Sequence, residues 1–254
     1  MKLRILGCSG GIGDGLKTTS ILLDDNILID AGTGVGELSF DEMVGIDHVF
    51  LTHSHLDHIC FIPFIVDTVG HRRSMPLTIH GLPQTLQVLK AHIFNGRVWP
   101  DFAAIPSSDN PFLKYQELTL GQTVQIKNNS ITTLPANHVV PAVGYRLDSG
   151  QGSFVFTGDT TTNDKLWDEV NKIDNLKGLI IETAFCEVDK DLAKVSKHLC
   201  PSLLAAELKK LKHHPEIYIT HLKSGEMEQT MEEVINRVND RKPHMLIAGQ
   251  EFEF

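Results

Sequence analysis

The feature that most constrains the fold of this chain is a set of five histidines and two aspartates at the ends of short apolar runs. The densest group lies in residues 53–58, directly after the uncharged run of residues 49–52. Aromatic and β-branched residues suit the interior of a sheet, so the histidines begin where a buried strand is predicted to end. Alternation along an extended chain would place His53, His55 and Asp57 on one side. His58 would then point elsewhere. One loop thus offers more ligands than a single tetrahedral zinc site needs, which indicates a binuclear centre.

Three later strand-like runs also end in a histidine or an aspartate. Residues 131–134 lead to His138, residues 154–157 lead to Asp159, and residues 217–220 lead directly to His221. Open sheets present their sites at the carboxyl ends of strands. The recurrence therefore favours one metal centre at a sheet edge over surface histidines that occur by chance.

Composition limits the class of protein. The chain has 254 residues, 41% of them apolar and 22% charged, which is ordinary for a soluble globular protein. No segment resembles a signal peptide or reaches the apolar length that spans a bilayer, so we expect a cytoplasmic protein without a membrane partner. The formal net charge of -9 argues against nucleic acid as a partner, because affinity for a polyanion rests on Lys and Arg.

The four cysteines are far apart in the sequence and form no C-x-x-C pair. We therefore expect reduced thiols in the core, not a disulfide framework or a thiolate zinc site. The four are Cys8, Cys60, Cys186 and Cys200.

The chain reads as two similar halves. Strands are predicted at residues 3–7, 19–23 and 27–30, and apolar residues at helical spacing predict helices near 83–93, 165–173, 201–211 and 225–239. Strands in runs, with helices between and after them, indicate two packed sheets with helices outside, each half giving one sheet. Since no linker separates the halves, residues 1–254 are expected to form a single domain.

A glycine-rich stretch at residues 10–15 invites a dinucleotide-binding interpretation, which its details exclude. The spacing is not G-x-G-x-x-G, and residues 18–23 look like a strand where that motif requires a helix.

The hexapeptide at 53–58 resembles the H-x-H-x-D-H signature of the metallo-β-lactamase superfamily, and the resemblance extends over nearly the whole chain. It implies an α/β fold, the four-layer αββα sandwich, with two divalent metal ions at one edge. In that resemblance Asp30 supports the metal loop. Imidazole and carboxylate ligands suit zinc and also permit manganese or iron. The implied ligands are His53, His55 and His138 for the first metal, Asp57, His58 and His221 for the second, and Asp159 as a bridge between them.

Within the superfamily, four segments look most like the class II cyclic-nucleotide phosphodiesterases. They are residues 55–59, 79–83, 92–102 and 197–204, although Cys200 stands where that group usually has a hydroxyl residue. The resemblance implies hydrolysis of a small-molecule 3′,5′-cyclic nucleotide, most simply cyclic AMP and secondarily cyclic GMP, to the 5′-monophosphate. It also implies a homodimer.

The resemblance suggests roles for further residues. His198 is the candidate proton donor to the leaving 3′-oxygen. Glu182 follows an apolar run and either fixes the tautomer of that imidazole or is an ordinary capping residue. Asp57 either orients or deprotonates the attacking water or is only a ligand.

An aromatic wall for the base is a separate expectation, drawn from residues 94–102. Phe94, Trp99 and Phe102 lie there near a glycine and two prolines, and aromatic rings can stack a purine. The alternative is that these rings belong to the core.

Two other functions compete with the phosphodiesterase. A tRNA 3′-processing endonuclease uses the same metal set, but the acidic net charge and the lack of a basic RNA-gripping insertion disfavour it. A non-catalytic metal-binding sensor is disfavoured because all seven ligand positions are filled.

Overall fold

Short apolar strands, whose side chains point alternately into two hydrophobic cores, build the centre of the molecule. The computed structural model describes residues 1–254, and in it Ile27 and Ile29 face one core while Leu28 faces another. Such alternation is what a two-residue repeat produces in a strand buried on both faces. It explains how these strands can be wholly apolar and still separate two layers.

Sixteen strands form two seven-stranded sheets and a small hairpin. In chain order they are β1 (Lys2–Gly7), β2 (Ser20–Leu23), β3 (Ile27–Ile29), β4 (His48–Phe50), β5 (Leu77–Gly81), β6 (Pro106–Ser107), β7 (Asn110–Pro111), β8 (Leu113–Glu117), β9 (Thr123–Ile126), β10 (Asn129–Pro135), β11 (Val143–Asp148), β12 (Ser153–Phe156), β13 (Leu176–Glu182), β14 (Glu216–Thr220), β15 (His244–Met245) and β16 (Glu251–Glu253). The sheet orders are β16-β1-β2-β3-β4-β5-β8 and β15-β14-β13-β12-β11-β10-β9.

Eight α-helices accompany the sheets. They are α1 (Phe40–Gly45), α2 (Leu56–Ile59), α3 (Ile62–Val69), α4 (Pro83–Val88), α5 (Asp164–Val170), α6 (Lys190–Ser196), α7 (Pro201–Leu208) and α8 (Met227–Arg237). A π-helical segment, Leu89–Ile93, extends α4, and short 3₁₀ turns lie at Thr33–Glu37, Gly70–Arg72 and Glu187–Asp189. The helices predicted from apolar spacing are thereby confirmed, with ends that differ by a few residues.

Three hydrophobic cores separate four layers. The middle core lies between the sheets and joins residues of the first, such as Phe50, to residues of the second, such as Tyr145. One outer core packs α3 and α4 on the first sheet, and the other packs α5, α7 and α8 on the second. The predicted αββα sandwich is confirmed.

The expectation that each half of the chain gives one complete sheet is wrong in one respect. Strand β16 returns to the first sheet and pairs antiparallel with β1, with Leu3 opposite Phe252. A pairing between the two ends of the chain leaves no local signal in the sequence.

Parallel pairing places the site. Strands β3, β4, β5 and β8 are parallel to one another, as are β12, β13, β14 and β15. Their carboxyl ends lie at one edge of each sheet. No helix is long and apolar enough to cross a membrane, and the four cysteines are unpaired.

Candidate metal centre

The loop that follows β4 changes from extended to helical chain within the hexapeptide. His55 is extended, with φ -65° and ψ 148°, and α2 begins at the next residue. The His58 amide donates to the His55 carbonyl at 3.1 Å, which closes the first turn. The predicted alternation therefore stops at His55, and Asp57 does not share a side with His53 and His55. Instead it lies with His58, 3.6 Å from Asp57 Oδ2 to His58 Nε2.

Strand ends from both sheets bring the seven predicted ligands into two adjoining groups. In each group, one nitrogen or oxygen atom per residue lies within 4.8 Å of the others. The first group is His53, His55, His138 and Asp159, and the second is Asp57, His58 and His221.

Asp159 lies between the two groups. Its Oδ2 atom is 3.7 Å from His53 Nε2 and 3.5 Å from both His58 Nε2 and His221 Nε2. The residue is buried, and one carboxylate oxygen thus faces imidazoles of both groups. Asp159 is therefore placed so that it could contact ions held by either group, as the resemblance implies.

Two buried nitrogens support the fit of metal ions to this centre. His53 Nε2 and His58 Nε2 have no hydrogen-bond partner, although a buried polar atom normally has one. Their opposite nitrogens are held: Thr52 Oγ1 lies 2.9 Å from His53 Nδ1, and Asp30 Oδ2 lies 2.7 Å from His58 Nδ1. Metal-binding imidazoles are held in this way, one nitrogen fixed by a neighbour and the other aimed at the ion.

The electrostatics favour the deprotonated, metal-binding forms of His53, His138, His221 and Asp159. Burial lowers the pKa of His138 and of His221 to about 4 each. Burial, followed by the nearby charge of His58, lowers the pKa of His53 well below its ordinary value. Burial would raise the pKa of Asp159, but His221 and His58 outweigh it and lower that pKa. At neutral pH the imidazoles of His53, His138 and His221 are therefore neutral beside the Asp159 carboxylate. Burial would lower the pKa of His58, but Asp159 and Asp30 outweigh it and raise that pKa well above its ordinary value, so an ion bound at His58 would replace its proton. The donor set suits zinc and similar divalent ions.

Asp30 orients the metal loop from the end of β3. It is fully buried with a left-handed φ of 57°. Oδ1 accepts from the Thr52 amide at 2.8 Å, and Oδ2 accepts from Thr52 Oγ1 at 2.8 Å and contacts His58 Nδ1. The carboxylate therefore fixes both the start of the loop and one of its imidazoles.

His198 and Glu182 form a buried pair beside the two groups. Glu182 Oε1 lies 2.7 Å from His198 Nδ1 and also accepts from the Thr160 amide. Burial would lower the pKa of His198, but the Glu182 carboxylate outweighs it and raises that pKa. The His198 ring lies 4.9 Å from the His138 ring and 5.3 Å from the His221 ring, between centroids. The structure thus brings together the two residues that the sequence suggested as proton donor and its partner.

A family model described as a β-lactamase superfamily domain matches residues 25–234. The chain belongs to the metallo-β-lactamase superfamily.

Relatives within the superfamily carry two kinds of name. A probable 3′,5′-cyclic-nucleotide phosphodiesterase of Yersinia pestis is 26% identical over 256 residues, covering 82% of this chain and 71% of that protein. A ribonuclease Z of Halorubrum lacusprofundi is 39% identical over 94 residues, covering 34% of this chain and 30% of that protein. The crystal structure of unliganded yeast PDE1 shares the fold, with a TM-score of 0.84, 20% identity and 98% of each chain covered. Together the matches support a metallo-β-lactamase superfamily hydrolase.

The predicted aromatic wall for the base is wrong for Phe94 and Phe102, which are buried in a core. Phe94 and Phe102 are 3% and 6% exposed and belong to the outer core of the first sheet. Trp99 packs against the same core, with its ring 5.5 Å from that of Phe64. Because the rings of Phe94 and Phe102 face other apolar side chains, neither has a free face on which a base could stack.

Lys197 is a positioning residue that no motif in the sequence indicates. Its carbonyl lies 3.1 Å from His138 Nδ1, and its ammonium donates to Asn137 Oδ1 at 3.2 Å and to the His138 carbonyl at 3.1 Å. It adopts a left-handed φ of 55° just after α6. One residue thus ties the His138 loop to the loop of His198.

The glycine-rich stretch also belongs to this centre. A Cβ on Gly10 would lie 2.4 Å from the His221 carbonyl oxygen, so the loop passes His221 more closely than any side chain permits. Lys223 Nζ donates to the Gly10 carbonyl at 2.9 Å. Strand β2 follows the stretch, as the exclusion of a dinucleotide site required. The run of glycines in the sequence indicates a close approach of backbone, but it does not indicate that His221 is the residue approached.

Proposed function

We propose that this protein is a binuclear metal-dependent phosphodiesterase that hydrolyses 3′,5′-cyclic nucleotides, cyclic AMP foremost, to 5′-monophosphates. The observation that carries the proposal is the buried His198–Glu182 pair next to two ligand groups, with Asp159 of the first group also 3.5 Å from His58 and His221 of the second. The likeness to the Yersinia pestis protein over most of the chain supports the substrate class. A cleft of about 780 Å³ beside His138, walled by residues 135–142 and 162–165, is in the size range of small-molecule sites.

Two divalent ions, zinc by the chemistry of the donor set, would be held by the two groups. Such ions, when bound, polarise a phosphoryl oxygen and lower the pKa of bound water. Asp57 is the more exposed of the two carboxylates, with a third of its side chain accessible, so we assign it to orient the attacking water.

His198 acts on the leaving group. The water first releases a proton to solvent. As the resulting hydroxide oxygen bonds to phosphorus and the bond to the 3′-oxygen breaks, His198 Nε2 gives its proton to the 3′-oxygen. Glu182 keeps Nδ1 protonated and the ring in place. The product is a nucleoside 5′-monophosphate with a free 3′-hydroxyl.

Hydrolysis of cyclic AMP and cyclic GMP by the zinc- or manganese-loaded protein tests this proposal. We expect His55→Ala to abolish turnover and His198→Ala to lower kcat about 100-fold or more while both metals are retained. Exchange of the exposed His71 for Ala is the matched control and should leave turnover intact. Failure of a protein that holds two metals to hydrolyse either nucleotide would contradict the proposal.

A substrate with a better leaving group separates the two roles. Bis(p-nitrophenyl) phosphate releases p-nitrophenolate, which needs no proton. His198→Ala should therefore lose far less activity on this substrate than on cyclic AMP. Equal losses on both would remove His198 from the role of proton donor.

A ribonuclease Z activity is the second candidate, favoured by the identity of 39% over 94 residues to the Halorubrum lacusprofundi protein. It would use the same centre on an RNA phosphodiester. Cleavage of a precursor tRNA, without turnover of cyclic nucleotides, would select it.

A further inference from the structure

Phe185 is an aromatic residue beside the metal centre that none of the three cores includes. It is half-buried, in contrast to Phe94 and Phe102. It follows β13, where Glu182 Oε2 accepts from the amides of Ala184 and Leu199 at 3.2 Å each. The backbone therefore wraps around the Glu182 carboxylate and places the ring next to His198.

The ring of Phe185 adjoins His198. The two centroids are 5.7 Å apart and the planes are inclined by 66°, an edge-to-face contact. Since Glu182 holds Nδ1 of His198, the proposed proton donor is the other nitrogen, Nε2. Phe185 therefore adjoins the residue that is proposed to act on the leaving group.

A positive charge accompanies the ring. Lys223 Nζ lies 5.8 Å from the Phe185 centroid, within the range of a cation–π contact. The same ammonium donates to the Gly10 carbonyl, which fixes it between the glycine-rich loop and the ring. An aromatic surface next to a lysine suits a flat, electron-rich ligand that carries an anionic group.

We propose that Phe185 is the platform on which the nucleobase of the substrate stacks, and that Lys223 holds the ring in place. The assignment rests on the proposed function. A nucleotide whose 3′-oxygen takes a proton from His198 carries its base on the same ribose, only a few bonds away. The base therefore reaches the neighbour of His198 and not the buried Phe94 and Phe102.

The platform is tested by comparing kcat/KM of Phe185 variants on a substrate that has a base and on one that lacks it. The two substrates are cyclic AMP and ribose 3′,5′-cyclic phosphate that lacks the base. Stacking on an aromatic ring predicts that Phe185→Leu lowers the ratio of kcat/KM for the two substrates about 10-fold, chiefly through KM for cyclic AMP. Phe185→Tyr should preserve the ratio. Phe64→Leu, which removes an exposed ring from α3, is the control and should also preserve it.

Two results would overturn the platform. An equal loss on both substrates would mean that Phe185 only positions His198. Unchanged kcat/KM on both substrates would mean that the base lies elsewhere.

A fluorescence measurement separates this proposal from the proposed function and needs no turnover. In Phe185→Trp, adenosine 5′-monophosphate should quench emission beyond the background of Trp99 and Trp167 in the wild-type protein. If cyclic nucleotides are not hydrolysed but the quenching appears, the proposed function fails and the platform stands. Absence of additional quenching at saturating nucleotide contradicts the platform whatever the activity.

Discussion

Single acceptor groups orient the histidines of the centre. Nδ1 of His58 faces the Asp30 carboxylate. Nδ1 of His138 faces the Lys197 carbonyl, and Nδ1 of His198 faces the Glu182 carboxylate. In His58 the other nitrogen, Nε2, has no hydrogen-bond partner, and in His138 it lies 3.1 Å from His55 Nδ1 within the first ligand group. This repeated arrangement makes the residues behind the centre as consequential as those within it.

Asp30→Asn tests that view at the second ligand group. The amide would present an N–H to His58 Nδ1, where the carboxylate accepts, so the imidazole loses its fixed tautomer. Zinc affinity should fall about 10- to 100-fold in a competition with a chromophoric chelator. Asp24→Asn, at another left-handed aspartate that lies in the β2–β3 turn, is the control. Equal affinity of Asp30→Asn and the wild-type protein would refute the orienting role.

Substitutions at Lys197 test whether its left-handed backbone conformation is strained. With φ at 55°, a residue with a Cβ is strained there and glycine is not. Lys197→Ala and Lys197→Gly both lose the ammonium contacts, so their difference reports the backbone alone. We expect Lys197→Gly to be the more stable by about 1 kcal/mol in urea unfolding. An Ala variant as stable as the Gly variant would speak against a strained turn.

At the scale of elements, the close approach of the glycine-rich loop to His221 supports the centre. Gly10→Ala would place a methyl group 2.4 Å from a backbone oxygen that cannot move independently. We expect a loss of roughly 1–3 kcal/mol in unfolding free energy, together with weaker zinc binding.

Gly11→Ala is the matched neighbour of that change. Its added carbon would meet the side chain of Ser224 at 3.0 Å, and that side chain can rotate away. Similar destabilisation of both variants would show that the loop tolerates no side chain for reasons other than His221.

The sequence predicted these elements where the signal was local. Uncharged runs that end in histidine or aspartate located the strands and the seven candidate ligands, because alternation and strand ends depend on neighbouring residues. The helical turn at 56–59 was missed, since the same hexapeptide is compatible with an extended chain until tertiary contacts select one. Burial of Phe94 and Phe102, and the pairing of β16 with β1, depend on residues far away in the sequence.

At the scale of the whole molecule, one hydrogen bond joins the two sheets behind the metal loop. The hydroxyl of Tyr145 in the second sheet donates to the carbonyl of Leu51 in the first, at 2.6 Å, and both residues are buried. Tyr145→Phe leaves that carbonyl without a partner and should lower the unfolding free energy by about 1–3 kcal/mol. Tyr218→Phe alters a half-buried tyrosine in the same core and should change it by much less. The comparison requires only urea denaturation of the two variants.

His80 makes the stability of the molecule depend on pH. Its ring stacks on Phe50 at 4.1 Å, and burial followed by the charge of His48 lowers its pKa to about 3. Below pH 6.5 the unfolded chain takes up a proton at this residue and the folded chain does not, so stability is lost as the pH falls from 6.5 towards 3.

His80→Phe removes that loss. Its unfolding free energy relative to the wild-type protein should therefore rise between pH 7 and pH 4, approaching about 1.4 kcal/mol per pH unit well below pH 6.5. Unfolding curves at both pH values measure it. A difference that stays constant with pH would exclude His80 as a source of acid sensitivity.

The ligand groups straddle the seam between the sheets. His53 and His58 extend from the first sheet, whereas Asp159 and His221 extend from the second. Ions bound across this seam would have ligands from both sheets, so they would have to dissociate before the two sheets could separate. During folding, in turn, the complete metal site can form only after the two sheets have packed together. Metal content would then set the lifetime of the native state and leave the speed of reaching it unchanged.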